Sequence, residues 1–200
     1  MNGLFPNDKI VFQVPDAHIE YYPNFFSEEQ ADALFEKLLI ETLWQQDNIT
    51  VYGKTYPQPR LTALFGNEGK PYSYSNITMH PQPWNETLLQ MKLKITEVTL
   101  CDFTTVLLNR YRNGQDSNGW HADNEKELGT NPAIASISLG AARAFHLQHN
   151  SIKEARLKLT LEHGSLLLMK GTTQHYWKHQ IPKTAKTVDQ RINLTFRTIK

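Results

Sequence analysis

From Phe103 to the C-terminus the chain breaks into seven short strand-like runs, FTTVLLNRYR, IASISLG, RAFHLQH, LKLTL, SLLLMK, HYWKHQI and RINLTFRTI, punctuated by Gly, Asn, Asp and Pro. Runs of this length and spacing hide their apolar faces by pairing with one another, which predicts an antiparallel barrel or jelly roll. Upstream, SEEQADALFEKLLIET (27–42) opens with Ser27 three residues before Gln30 and repeats apolar side chains at Ala31, Leu34, Phe35, Leu38 and Leu39. That is a capping box followed by an amphipathic helix. A second helical pattern runs from Trp84 to Val98, with Leu88, Met91 or Lys92, Ile95 and Val98 along one side. The expected class is α+β, a jelly roll with N-terminal helices packed on one of its sheets.

Between the two helices, residues 48–83 are rich in Gly, Pro, Tyr and Thr, with turn signals at Tyr52-Gly53, Pro57 to Pro59, Gly66-Asn67 and Gly69 to Pro71. They read as strands and exposed loops. A segment this long is rarely an idle connector in a compact domain, and such loops more often carry function.

The 200 residues, 40% hydrophobic and 20% charged, fit one globular domain over 1–200, with the jelly-roll core at 103–200. No stretch approaches the roughly 18 apolar residues of a membrane helix, and MNGLFPNDKI lacks the layout of a signal peptide. A soluble intracellular protein is expected, a monomer with no membrane partner. Cys101 is the only cysteine, which excludes an intramolecular disulfide and a cysteine-based zinc site. The formal charge of +1 leaves a nucleic-acid partner open, with Lys178, Lys183 and Lys186 as a candidate local patch.

In GWHADNE (119–125), His121 and Asp123 stand two apart, so on an extended chain both can point into a barrel and act as metal ligands. A third ligand is needed, and HYWKHQIP offers His175 and His179 on one face of an extended run; periodicity does not choose between them. Two His and one carboxylate with open coordination positions is the ligand set of non-haem Fe(II) oxygenases. In RINLTFR, Arg191, Asn193, Thr195 and Arg197 occupy one face and Ile192, Leu194 and Phe196 the other. Two inward cations require anionic partners, and a dicarboxylate would satisfy both. Asn109 and Tyr111 in LLNRYR share a face and supply donors suited to carboxylate oxygens.

Together, NRYRNGQDSNGWHADNE, PAIASISLGAARAF, LEHGSLLLMKG, WKHQIP and RINLTFRTI resemble the AlkB family of Fe(II)- and 2-oxoglutarate-dependent nucleic-acid demethylases, from about Val51 to Ile199. The resemblance implies a double-stranded β-helix, the jelly roll of that family. It also implies Fe(II), the cosubstrate 2-oxoglutarate and O2. By the same resemblance, His121, Asp123 and His179 are the iron ligands, His179 because Gln180, Ile181 and Pro182 reproduce the step after the family's ligand. Arg191 and Tyr111 hold the distal carboxylate of the cosubstrate; Asn109 and Arg197 serve the end that chelates iron, and Asn193 lies on the same cosubstrate face.

The resemblance extends to substrate. VYGK, PRLTALFG and KPYSYSNITMHPQP look like the nucleotide-recognition lid of the DNA-acting members, expected over 48–83. A base must leave the helical stack for its methyl group to be reached. Tyr74 matches the aromatic that stacks on that base, opposite the His121 ring, with Tyr72 beside it. Tyr52, followed by Gly53 and Lys54, matches the tip of a finger that fills the vacated stack. Bases methylated at a pairing ring nitrogen are cationic, so aromatic faces and a carboxylate favour them. Glu125 is the carboxylate expected here, with Asn124 beside it where relatives usually carry an acid. The implied function is oxidative demethylation of 1-methyladenine and 3-methylcytosine in DNA, releasing formaldehyde, succinate and CO2. An RNA demethylase of the same chemistry and a silent nucleic-acid binding module are the alternatives. The expected location is cytoplasmic in a bacterium and nuclear in a eukaryote.

Overall fold

The computed structural model describes residues 9–51, 53–67, 72–74 and 77–200. Two strands, β1 (Ile10–Phe12) and β2 (His18–Tyr22), lead into helix α1 (Glu28–Glu41). Ser27 caps α1: its hydroxyl accepts from the Gln30 amide, and the Gln30 side chain accepts from the Ser27 amide, the reciprocal box anticipated above. Next come β3 (Asn48–Val51), β4 (Lys54–Pro57), β5 (Leu61–Gly66), β6 (Tyr72–Tyr74) and β7 (Ile77–Met79). Helix α2 (Glu86–Thr99) begins where the Asn85 side chain accepts from the Leu88 amide and ends with Leu100 in the left-handed region, φ 57°.

The remaining strands are β8 (Thr105–Tyr111), β9 (Asn118–His121), β10 (Ile134–Gly140), β11 (Arg143–His149), β12 (Arg156–Leu161), β13 (Ser165–Lys170), β14 (Trp177–Ile181) and β15 (Arg191–Arg197). A helical turn, α3 (Thr173–Tyr176), precedes β14. A seven-stranded sheet, β1-β2-β13-β10-β15-β8-β5, is accompanied by a four-stranded one, β12-β11-β14-β9, and all their pairings are antiparallel. Hairpins β3-β4 and β6-β7 stand apart. No described helix is long and apolar enough to cross a membrane.

Three of the strands in the large sheet come from outside 103–200: β1, β2 and β5. Strand β5 lies within the stretch expected to be lid, so that expectation is corrected there. The reason is burial on both faces: LTALFG and HIEYY are almost wholly buried, and a doubly buried strand loses the alternation that marks a half-exposed one.

The large sheet separates two cores. On one face Ala31 and Leu38 of α1 and Leu88, Met91 and Ile95 of α2 pack against Ile192, Leu194 and Phe196 of β15 and their neighbours. Each of the Leu, Ile, Met and Phe side chains contributes about 1.5–3 kcal/mol by leaving water. The ambiguity between Met91 and Lys92 thus resolves to Met91. On the other face Leu107, Ile134, Leu167 and Met169 meet Phe145, Leu147, Leu161 and Trp177 of the small sheet. Since side chains alternate along β15, apolar packing of its even positions sends Arg191, Asn193, Thr195 and Arg197 into the space between the sheets.

Candidate active site

That inter-sheet space is a pocket, lined among others by Asn109, Tyr111, His121, Asp123, His179 and Arg191. Cross-strand register assembles it. His121 and His179 are direct partners between β9 and β14, their rings 4.3 Å apart, and the pairing is irregular immediately beyond. Asp123 lies just past the end of β9. Its backbone amide donates to Gln174 Oε1 at 2.9 Å, and its carboxylate accepts from Arg197 Nη2 at 2.7 Å. Among the described residues, His121, Asp123 and His179 are the one group of His, Cys, Asp or Glu whose ligand atoms converge, all within 4.8 Å of one another.

Their protonation suits a cation. Burial pushes His179 down to about 3, helped by His121, so its ring is neutral at pH 7. Burial also lowers His121. For Asp123, burial pushes upward, but Arg197 and the two His outweigh it and hold the carboxyl near 2, ionised. His121 Nδ1 lies 2.8 Å from the Gly119 carbonyl, to which it donates as N–H; Nε2 is left as an acceptor, with the Asn118 amide 3.3 Å away. Two neutral imidazoles and one carboxylate, held without cysteine, fit a divalent first-row metal with open positions.

The opposite end of the pocket suits an anion. Tyr111 and Arg191 are direct partners between β8 and β15, with the guanidinium carbon 5.2 Å from the phenol ring centroid. Arg191 is 1% exposed; Nη2 donates to Ser138 Oγ at 2.8 Å, while Nε and Nη1 have no hydrogen-bond partner in the protein. Burial drags its pKa down to about 10, but it remains a cation. Buried guanidinium N–H groups that no protein acceptor takes are donors for a carboxylate. Asn193 and Asn109 are paired two register positions along, on the same face. Asn193 Nδ2 donates to Ser136 Oγ and the Ile137 carbonyl, and its Oδ1 accepts from Thr195.

The sequence pattern also left one choice open that backbone conformation settles: His175 belongs to the helical turn α3 and is exposed, so the run before β14 is not extended and only His179 faces the pocket. Two residues escaped the sequence reading. Arg60, 4% exposed, lines the pocket and donates from Nε to Asn109 Oδ1 at 2.8 Å. A lone Arg heading the apolar run LTALF was its signal. Gln174, which holds the Asp123 amide, had none, because its role depends on the α3 turn.

The expected substrate residues are not gathered in this way. Asn124 is exposed and Glu125 half-buried at the mouth of a short 3-10 turn, and neither lines the pocket. Gly53, φ 75°, and exposed Lys54 are at the tip of the β3-β4 hairpin, where a positive φ favours glycine. Tyr52 lies outside the described residues. Tyr72 and Tyr74 occupy β6, with Tyr72 opposite Met79 and Tyr74 opposite Ile77, and their side chains are outside the description.

A model of the "2OG-Fe(II) oxygenase superfamily" matches residues 18–197. The alpha-ketoglutarate-dependent dioxygenase alkB homolog 3 of Bos taurus is 44% identical over 186 residues, 88% of this chain and 64% of that protein. Its Homo sapiens counterpart is 42% identical over 187 residues, 89% of this chain and 65% of that protein. The DNA oxidative demethylase ALKBH2 of Mus musculus is 36% identical over 188 residues, 89% of this chain and 79% of that protein. The chain therefore spans slightly less than two thirds of the length of the first two. The solved structure of OsALKBH1 superposes with a TM-score of 0.69 at 15% identity, covering 96% of this chain and 100% of that one, which supports the jelly-roll fold.

Proposed function

Because the chain belongs to the 2OG-Fe(II) oxygenase superfamily, and within it to the AlkB family, we propose that it oxidatively demethylates nucleic-acid bases, 1-methyladenine and 3-methylcytosine in DNA, with release of formaldehyde, succinate and CO2. The observation that carries this reading is the pairing, in one pocket, of the His121–Asp123–His179 cluster with a buried Arg191 that has two donors to spare. Names of the relatives supply the substrate class: one group is called DNA oxidative demethylases.

In this reading His121, Asp123 and His179 hold Fe(II). The metal, when bound, supplies the activation of O2 that couples decarboxylation of 2-oxoglutarate to attack on the methyl group. The chain's own work is positioning and charge. Arg191 and Tyr111 grip the distal carboxylate and fix how far the cosubstrate enters. Arg197 ties down Asp123, so that the carboxylate keeps one orientation. Asn109, itself oriented by Arg60, and Asn193 line the path between the two ends. The apolar walls, Leu107, Ile134 and Phe145, keep the site dry and strengthen each of these contacts.

The base enters past the lid. Tyr74 stacks on it with the His121 ring opposite and Tyr72 beside it, Tyr52 with Gly53 and Lys54 fills the gap in the stack, and Glu125 with Asn124 favours a cationic, methylated base. The test is incubation with Fe(II), 2-oxoglutarate and matched oligonucleotides carrying either lesion in single-stranded DNA, duplex DNA and RNA. Restored adenine or cytosine in the DNA arms, and none with His121→Ala, is expected. Restoration confined to RNA would move the substrate to the alternative; no restoration in any arm overturns the reading.

A further inference from the structure

The outward face of the four-stranded sheet is not used by the pocket. Inward from its strands point Phe145, Leu147, Leu161, Trp177, His179 and Ile181, all buried. Outward by alternation point Arg156, Lys158 and Thr160 of β12, Ala144, His146 and Gln148 of β11, Lys178 and Gln180 of β14, and Trp120 of β9. The register lines them up: Arg156 sits opposite Gln148, which sits opposite Lys178, and Lys158 opposite His146, which sits opposite Gln180. None of these positions is a carboxylate; Glu154 and Glu162 lie beyond the two ends of β12. On a chain of formal charge +1, three cations on one acid-free face are a local concentration of charge. The field is felt by His146, which burial and then the charge of Lys158 hold below its ordinary pKa.

At the free edge of this face, among the described residues, is Trp120, 43% exposed. Its indole offers a flat aromatic face to solvent, with the Lys178 ammonium 5.8 Å from the ring centroid. Trp120 immediately precedes His121, whose side chain turns the other way into the pocket. A polymer that delivers one unit to His121 therefore passes Trp120, and from there to β12 is three strand spacings, about 14 Å.

We propose that this outward face docks the sugar–phosphate backbone of a single nucleic-acid strand, with Trp120 stacking on a base that flanks the one inserted into the pocket. The proposal rests on the nucleic-acid reading above and adds where the rest of the strand lies. Arg156, Lys158 and Lys178 meet phosphates, and their contribution is independent of sequence and weakened by salt. Trp120 contributes stacking, which salt leaves alone.

The test is binding of an unmodified, fluorescently labelled 20-nucleotide strand, as DNA and as RNA, by anisotropy over a range of salt, beside turnover on the same strand carrying one 1-methyladenine. Arg156→Gln/Lys158→Gln/Lys178→Gln should flatten the plot of log Kd against log salt by about 2, three contacts at about 0.7 each on a single strand. Trp120→Ala should weaken binding about tenfold with the salt slope unchanged. Lys158→Glu, at an exposed side chain, serves if the triple variant melts early, and should flatten the plot in the same direction. Variants that keep the wild-type affinity and slope overturn the docking surface, even if the methyl group is still removed. A wild-type protein that binds as predicted but leaves 1-methyladenine untouched overturns the demethylase reading and not this one.

Discussion

Two clusters of buried charge sit on the same seven-stranded sheet and are built to opposite specifications. Around Glu20 on β2, 5% exposed, every acceptor is taken: Tyr22 Oη and His18 Nε2 lie at 2.6 Å, Lys9 Nζ at 3.2 Å and Lys170 Nζ at 3.4 Å. In the pocket, Arg197 is ion-paired with Asp123, whereas Arg191 donates from Nη2 to the neutral Ser138 hydroxyl and keeps Nε and Nη1 without a protein partner. A satisfied buried cluster holds a fold in one arrangement, whereas a buried donor kept unsatisfied costs stability unless a ligand completes it. Completeness of hydrogen bonding, more than burial or charge, separates the structural cluster from the functional one.

The comparison breaks most visibly at the metal end. Asp123→Ala or His179→Ala should reduce restoration of methylated bases to background, read by chromatography of the digested oligonucleotide, because an open three-ligand site has no spare ligand. The next largest effect separates the two arginines. Arg197→Met leaves Asp123 as a buried charge without its partner and should cost about 3–5 kcal/mol in denaturant unfolding of the metal-free protein. Arg191→Met removes a cation that the protein does not complete, so unfolding without cosubstrate should be unchanged or harder. Its KM for 2-oxoglutarate should rise about 100-fold, the worth of two charge-assisted hydrogen bonds.

At Glu20 the outcome should reverse. Glu20→Gln is expected to lower stability by about 2–3 kcal/mol at pH 7 while leaving kcat and KM for 2-oxoglutarate alone. Burial pushes this carboxyl upward, but Tyr22, His18, Lys9 and Lys170 outweigh it and hold it at about 2, against 4.5 for an ordinary glutamate. The folded value is the lower one. Its contribution is therefore complete above about 4.5 and is lost as pH falls towards 2. Chemical denaturation of the metal-free protein between pH 5 and 3 should show a shallower acid decline for Glu20→Gln than for wild type; parallel declines would remove Glu20 from the account.

What the sequence made legible follows from how each feature is encoded. Runs 134–140, 143–149 and 165–170 coincide with β10, β11 and β13 because Gly, Pro and polar turns bound them sharply. The polar face of RINLTFR was readable because a period of two is a property of any strand. Cross-strand neighbours are not written locally. That Arg60 orients Asn109, or that Gln174 holds the Asp123 amide, depends on pairing and turn geometry that bring together residues 49 and 51 positions apart. The choice between His175 and His179 turned on one helical turn, a conformation that a strand pattern cannot express. Strands β1, β2 and β5 joined the large sheet unannounced, the last two because burial on both faces erases alternation.

The most direct measurement of the central claim is stoichiometry. With Fe(II), 2-oxoglutarate and a single-stranded DNA carrying 1-methyladenine, the account predicts succinate and restored adenine in equal amounts, both lost in Asp123→Ala. Succinate that forms at the same rate with and without the methylated strand, the lesion staying intact when the strand is present, would contradict it.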